Sequence, residues 1–176
     1  MTPRMRIAIV GNSGSGKSTL ARRLARARSL PTLELDAVVW EPGQIAVERA
    51  RAAVLADLDA FLAGADRWVV EGCYGELIEY VLPKCTELMF LNPGLDRCRS
   101  NALRRPWEPH KYDSAAAQDS KLDLLLEWID AYYTRTDAWS LACHRRVFDT
   151  YDGPKTEVTT SETDLRAVGA ARLPHH

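Results

Sequence analysis

The sequence predicts an α/β protein of three layers, a parallel sheet with helices on both faces. Two observations carry that prediction. Strand-like and helix-like runs alternate along the 176 residues, the pattern of a parallel sheet buried between helices. A glycine-rich stretch, Gly11-Asn12-Ser13-Gly14-Ser15-Gly16-Lys17-Ser18-Thr19, joins the first strand-like run to the first helix-like run. The length suits one domain with a sizeable core, so 1–176 is read as a single unit.

The first strand is expected over 5–10, where Ile7-Ala8-Ile9-Val10 is an apolar run. The first helix follows at 17–28, with Leu20, Leu24 and Ala25 turned inward and Arg22, Arg23, Arg26 and Arg28 on a solvated face. Pro31 leads into a second strand at 32–36, and Trp40-Glu41-Pro42-Gly43 reads as a turn. Val47, Ala50, Val54, Leu58 and Phe61-Leu62 recur at helical spacing and predict a helix over 46–63, ended by Ala63-Gly64. The third strand is expected at 67–72 and the fourth at 87–91, after which Asn92-Pro93-Gly94 breaks the chain before a helix at 95–104. A polar, proline-containing stretch precedes helices at 117–134 and 137–149. Asp152-Gly153 separates these from a short fifth strand at 155–159, and Ser161-Glu162-Thr163-Asp164 opens a last helix as a capping region. No internal repeat or low-complexity segment interrupts the order.

Hydrophobic content of 46% and charged content of 27% describe an ordinary globular protein. The net charge of −1 offers no global attraction for nucleic acid. No apolar run approaches membrane-spanning length, and the N-terminus lacks the apolar core of a signal peptide. Cys73, Cys85, Cys98 and Cys143 include no C-x-x-C pair and read as reduced thiols, so a cytoplasmic protein is expected, as monomer or homodimer. The terminal His175-His176 is given no function.

The chemistry starts at the glycine-rich stretch, which fits G-x-x-x-x-G-K-[ST] at Gly11, Gly16, Lys17 and Ser18. Strand before and helix after are the context this phosphate-binding P-loop requires. Successive backbone N–H groups form a nest for anions that ends at a helix N-terminus, where the macrodipole favours negative charge. Gly11 to Thr19 are therefore assigned to nucleotide, Lys17 to the β/γ-phosphates, and Ser18 to Mg²⁺. Glu71 ends the third strand before Gly72, at the strand end where ligands gather in such sheets; it is the second candidate for Mg²⁺, against a plain capping carboxylate. Asp36, at the end of the second strand, could take or orient the proton of an acceptor hydroxyl, support Mg²⁺ through water, or cap a helix. Arg97, Arg99, Arg104 and Arg105 lead into Pro106-Trp107-Glu108-Pro109-His110-Lys111. Phosphoryl transfer calls for cations on a mobile flap, and Arg105 is chosen first, then Arg135, then Lys111. Trp40 and Tyr74 could wall the acceptor's pocket or simply pack.

These residues carry a resemblance to the small P-loop kinases of the adenylate kinase and shikimate kinase type. More narrowly, the chain resembles the bacterial topology-modulation, adenylate-kinase-like group. The markers are Gly11–Thr19, Leu35-Asp36 with Trp40-Glu41-Pro42-Gly43, Trp68-Val69-Val70-Glu71-Gly72-Cys73-Tyr74, Leu91-Asn92-Pro93, and Leu103-Arg104-Arg105, spanning about 5–105. The resemblance implies a five-stranded parallel sheet in order 2-3-1-4-5, ATP with Mg²⁺, and a helical lid, here about 105–135, whose arginines close over the phosphates. The chain departs from the group at Glu71, where Asp is usual, at Cys73, where Asn is frequent, and at Asn101, where Arg is common. The expected activity is transfer of the γ-phosphate of ATP to a small hydroxyl compound, a nucleoside, nucleotide or shikimate-like polyol. The alternative is a nucleotide-dependent regulator associated with nucleic acid. A GTPase is disfavoured by the lack of Asn-Lys-x-Asp, and an ABC-type ATPase by the lack of Leu-Ser-Gly-Gly.

Overall fold

A computed structural model describes residues 4–44 and 46–159. The sheet has five strands, β1 (Arg6–Gly11), β2 (Thr32–Glu34), β3 (Trp68–Gly72), β4 (Glu87–Leu91) and β5 (Lys155–Val158). They run parallel in the order β2-β3-β1-β4-β5. β1 lies at the centre, with Val10 opposite Gly72 on one side and Gly11 opposite Leu91 on the other. Both faces are dry, which explains why β1, β3 and β4 read as continuous apolar runs. Ala8, Val10, Val70, Leu88 and Phe90 face one core, while Ile7, Ile9, Val69, Met89 and Leu91 face the other.

Helices fill the connections. α1 (Lys17–Arg28) lays Leu20, Ala21 and Leu24 on the second core. α2 (Asp36–Val39), α3 (Arg51–Ala63) and α4 (Gly75–Val81) follow, then α5 (Leu95–Leu103), α6 (Ala115–Asp119), α7 (Leu122–Ala131) and α8 (Leu141–Thr150). α5 and α7 share a small third core of Cys98, Ala102 and Ile129. Among the described residues no helix is long and apolar enough to cross a membrane.

Several expected boundaries need correction. The second strand stops at Glu34: Leu35 takes helical angles, donates its N–H to Glu71 O at 2.9 Å, and hands Asp36 to the first turn of α2. The helix expected at 46–63 begins only at Arg51, because the chain before it runs back along α2's exit. Glu41 N donates to Val47 O and Arg49 N to Val39 O, each at 2.8 Å, and Trp40 bridges Glu48. Val47 therefore matched the helical spacing by coincidence and is exposed. The helix expected at 117–134 is two, α6 and α7, and the helix expected at 137–149 is α8, capped by Ser140 Oγ at Cys143 N. α4 was not anticipated; its two turns are too short for periodicity to register, although Leu77, Ile78 and Val81 are buried. The expected last helix from Ser161, with His175-His176, lies outside the described residues.

Candidate active site

The carboxyl ends of β1, β2 and β3 open into a cleft of about 1120 Å³. Ligands are expected at this end of an open parallel sheet. Gly11–Thr19 forms one end of the cleft, with Gly14 and Gly16 at positive φ of 76° and 95°. Gly14 has a second constraint: a Cβ there would lie 2.4 Å from Cys98 O of α5. The loop is thus pressed against α5, and Asn101 Nδ2 donates to Gly14 O at 2.8 Å.

Ser13, Gly14, Gly16, Lys17, Ser18 and Thr19 line the cleft. Asn12, also assigned to nucleotide from the sequence, turns its buried side chain the other way and donates to Ile129 O of α7 at 3.1 Å. The hydroxyl of buried Ser15 tucks beneath the loop, 2.8 Å from where a Cβ of Gly11 would stand. Lys17 Nζ donates to Asn12 O at 2.7 Å, coiled over the nest that phosphates would occupy.

Ser18 Oγ donates to Glu71 Oε1 at 2.6 Å, so the two residues assigned to Mg²⁺ meet. Glu71 is buried, and burial pushes its carboxyl up, against the pull of Lys17 and the Ser18 hydroxyl. A buried carboxylate beside a hydroxyl, both oxygen donors, at the mouth of a phosphate nest fits Mg²⁺ completed by phosphate and water. Among the described residues no three His, Cys, Asp or Glu side chains cluster to hold a metal alone.

Asp36 stands on the same cleft. Tyr74 donates its hydroxyl hydrogen to Asp36 Oδ1 at 2.6 Å and accepts from Trp40 Nε1 at 2.8 Å. Lys111 reaches from the 104–114 segment to Asp36 Oδ2 at 3.4 Å, and also to Glu108 and Glu34 at 3.7 and 3.9 Å. Burial would raise the Asp36 carboxyl, but Lys111, the Tyr74 hydroxyl and Lys17 together hold it below the usual aspartate value. Burial and the neighbouring Asp36 charge push the Tyr74 phenol up, so it stays a donor at neutral pH.

Arg105 lines the cleft, its Nε 2.9 Å from Glu108 Oε2. Arg104 borders it too and bonds Ser100. Arg22 and Arg23, expected on a solvated face, also border the cleft. Arg97 is exposed, and Arg99 pairs with Asp130, joining α5 to α7 away from it. Arg135 is set behind the wall: its guanidinium lies 3.6 Å from the Trp128 ring centre, with Asp137 at 3.4 Å. Trp128 and Trp139, in edge contact at 5.6 Å, are the residues that line the cleft there.

Sequence reasoning passed over His144, which is fully buried. Its Nε2 lies 2.8 Å from Cys73 O, which can only accept, so Nε2 carries the hydrogen and Nδ1 accepts from Tyr132 OH at 2.9 Å. Burial lowers its pKa to about 4, leaving a neutral ring that ties α7's end to the loop after β3. A histidine on an amphipathic helix offers no local signal of such a role.

No family model matches the chain, and no curated protein matches it. Solved structures do. A gluconokinase from Sinorhizobium meliloti 1021 is similar at TM-score 0.55 and 19% identity, over 96% of this chain and 93% of that one. A sugar kinase from Janibacter sp. HTCC2649 is similar at 0.53 and 17%, over 94% and 93%. A shikimate kinase from Bacteroides thetaiotaomicron is similar at 0.53 and 16%, over 95% of each chain. With the strand order and the Gly11–Thr19 loop, these likenesses establish that the chain carries the fold of the small P-loop kinases.

Proposed function

We propose that this protein is an ATP-dependent kinase that phosphorylates a hydroxyl of a small metabolite. One observation carries the reading: Lys17 of the phosphate loop and the ionised Asp36 share a single cleft, one suited to the donor and the other to the acceptor. The loop amides and Lys17 hold the phosphates of ATP, and Ser18 with Glu71 holds Mg²⁺. The ion, when bound, neutralises phosphate charge. Asp36 Oδ2 takes the proton of the acceptor hydroxyl as its oxygen bonds to the γ-phosphorus. The bond from that phosphorus to the β–γ bridging oxygen breaks, and ADP leaves. Arg105 supplies positive charge from the 105–135 lid, and its closure excludes water that would otherwise hydrolyse ATP. Arg135 acts indirectly, bracing Trp128 in the wall.

The names of the neighbours favour sugar acids and polyols such as gluconate and shikimate as acceptors. The narrower kinship with the topology-modulation group rests on the sequence markers.

The test is ADP release from ATP and Mg²⁺ with gluconate, shikimate, nucleosides or nucleoside monophosphates. Acceptor-dependent release is expected with one of these classes, and Lys17→Ala should abolish it while leaving the circular dichroism spectrum unchanged. Release that survives Lys17→Ala, or that no acceptor stimulates, defeats the proposal.

A further inference from the structure

Asp36 is aimed from outside its helix by Tyr74, of the loop after β3, and Tyr74 is in turn held by Trp40, the residue that ends α2. The Trp40 indole N–H donates to the Tyr74 oxygen, and the Tyr74 O–H donates to Asp36 Oδ1. The indole N–H can only donate and the ionised carboxylate can only accept, so the single hydrogen of the tyrosine hydroxyl is directed at Asp36. Tyr74 is itself fixed. It is buried, its ring meets Trp139 edge-on at 6.3 Å, and the next residue, Gly75, donates its N–H to Ala138 O at 2.9 Å.

We infer that Tyr74 is a positioning residue for Asp36, polarised by Trp40, and that this relay selects Oδ2 as the oxygen that meets the acceptor hydroxyl. The inference rests on the kinase reading of the cleft. With Oδ1 capped, Oδ2 is the oxygen with basic lone pairs to spare, and its partner, Lys111, is an exchangeable one. Lys111 is 3.4 Å away on the 104–114 segment and is shared with Glu34 and Glu108. Movement of that segment frees Oδ2, whereas the Tyr74 bond joins packed parts of the core. The Tyr74 bond also adds to the ionisation of the carboxylate that Lys111 first, and Lys17 after it, favour against burial. Glu34, Glu71 and the Cys73 thiol, pushed up to about 12 by burial, also face this corner.

The experiment combines two readouts on the full chain. Carbon-13 NMR titration of aspartate side chains, assigned with Asp36→Asn, reports the Asp36 midpoint in the unaltered protein, Tyr74→Phe and Trp40→Phe. ADP release with gluconate and with shikimate reports turnover. Tyr74→Phe, nearly isosteric, is expected to raise the Asp36 midpoint by about one pH unit. It should also lower turnover roughly tenfold, as loss of a hydrogen bond to a charged group does, and leave KM for ATP within about twofold. Trp40→Phe should move both in the same direction by less. An Asp36 midpoint unmoved in Tyr74→Phe overturns the inference, as does an equal loss in ATP binding and turnover. If the unaltered protein turns over neither acceptor, the titration alone decides the relay, and the kinase reading is judged separately by the wider acceptor set.

Discussion

Asp36 shows how a carboxylate open to solvent on one side and walled by the cleft on the other is prepared for work by its partners. Burial opposes its charge, and Lys111, Tyr74 and Lys17 outweigh that opposition. Asp36→Asn keeps the shape and removes the base, so turnover should fall by about 10² to 10⁴ while ATP affinity changes little. A parallel loss of ATP affinity would instead make it a support for Mg²⁺, the alternative its place on the cleft also allows. Lys111→Met gives the matching pH prediction. Lys111 lowers the Asp36 pKa, so without it the carboxylate protonates at higher pH, and the acid limb of the turnover profile should move upward. A profile identical to that of the unaltered protein would show that Lys111 does not reach Asp36 in solution. Asp36 itself was visible in the sequence as an acid after an apolar strand. Its partner Lys111 lies 75 positions away and Tyr74 lies 38 away, so no local pattern could join them.

Between elements, the phosphate loop is clamped by α5 and α7. Asn101 holds Gly14 O, Asn12 holds Ile129 O, and Arg99 links the two helices through Asp130. In this clamp Asn12 reaches α7 with its side chain, and the short amide of Asn101 reaches a loop carbonyl. Asn101→Ala should weaken ATP binding about fivefold, the equivalent of one hydrogen bond of roughly 1 kcal/mol, with turnover at saturating ATP nearly unchanged. Isothermal titration with a nonhydrolysable ATP analogue measures it. Gly75 marks another tight junction: a Cβ would lie 2.5 Å from Cys143 Sγ of α8 and 2.8 Å from Ala138 O. Gly75→Ala should cost about 1–3 kcal/mol as overpacking does, read as a lower urea midpoint.

For the whole molecule, pH enters through His144. Its folded pKa of about 4 lies below the ordinary 6.5, so between these values the unfolded chain binds a proton that the folded chain excludes. Stability should therefore fall as pH drops from 6.5 towards 4, by at most about 3 kcal/mol from this group. Urea unfolding at pH 7 and pH 5 measures the slope, and His144→Gln should flatten it. The alternation of strand and helix and the Gly11–Thr19 loop were written locally, because a buried parallel strand and a phosphate nest each need particular residues in consecutive order. The sequence by itself therefore determined the α/β class and the glycine-rich end of the cleft, with its Lys17 and Ser18. Tertiary structure decided what depends on distant segments meeting. It split the helix expected at 117–134, turned Asn12 towards α7 and set Arg135 behind Trp128. It also brought Trp40, Tyr74 and Lys111 onto Asp36. A hydrogen bond depends on distance and angle between two atoms, and a linear sequence specifies those only for neighbours.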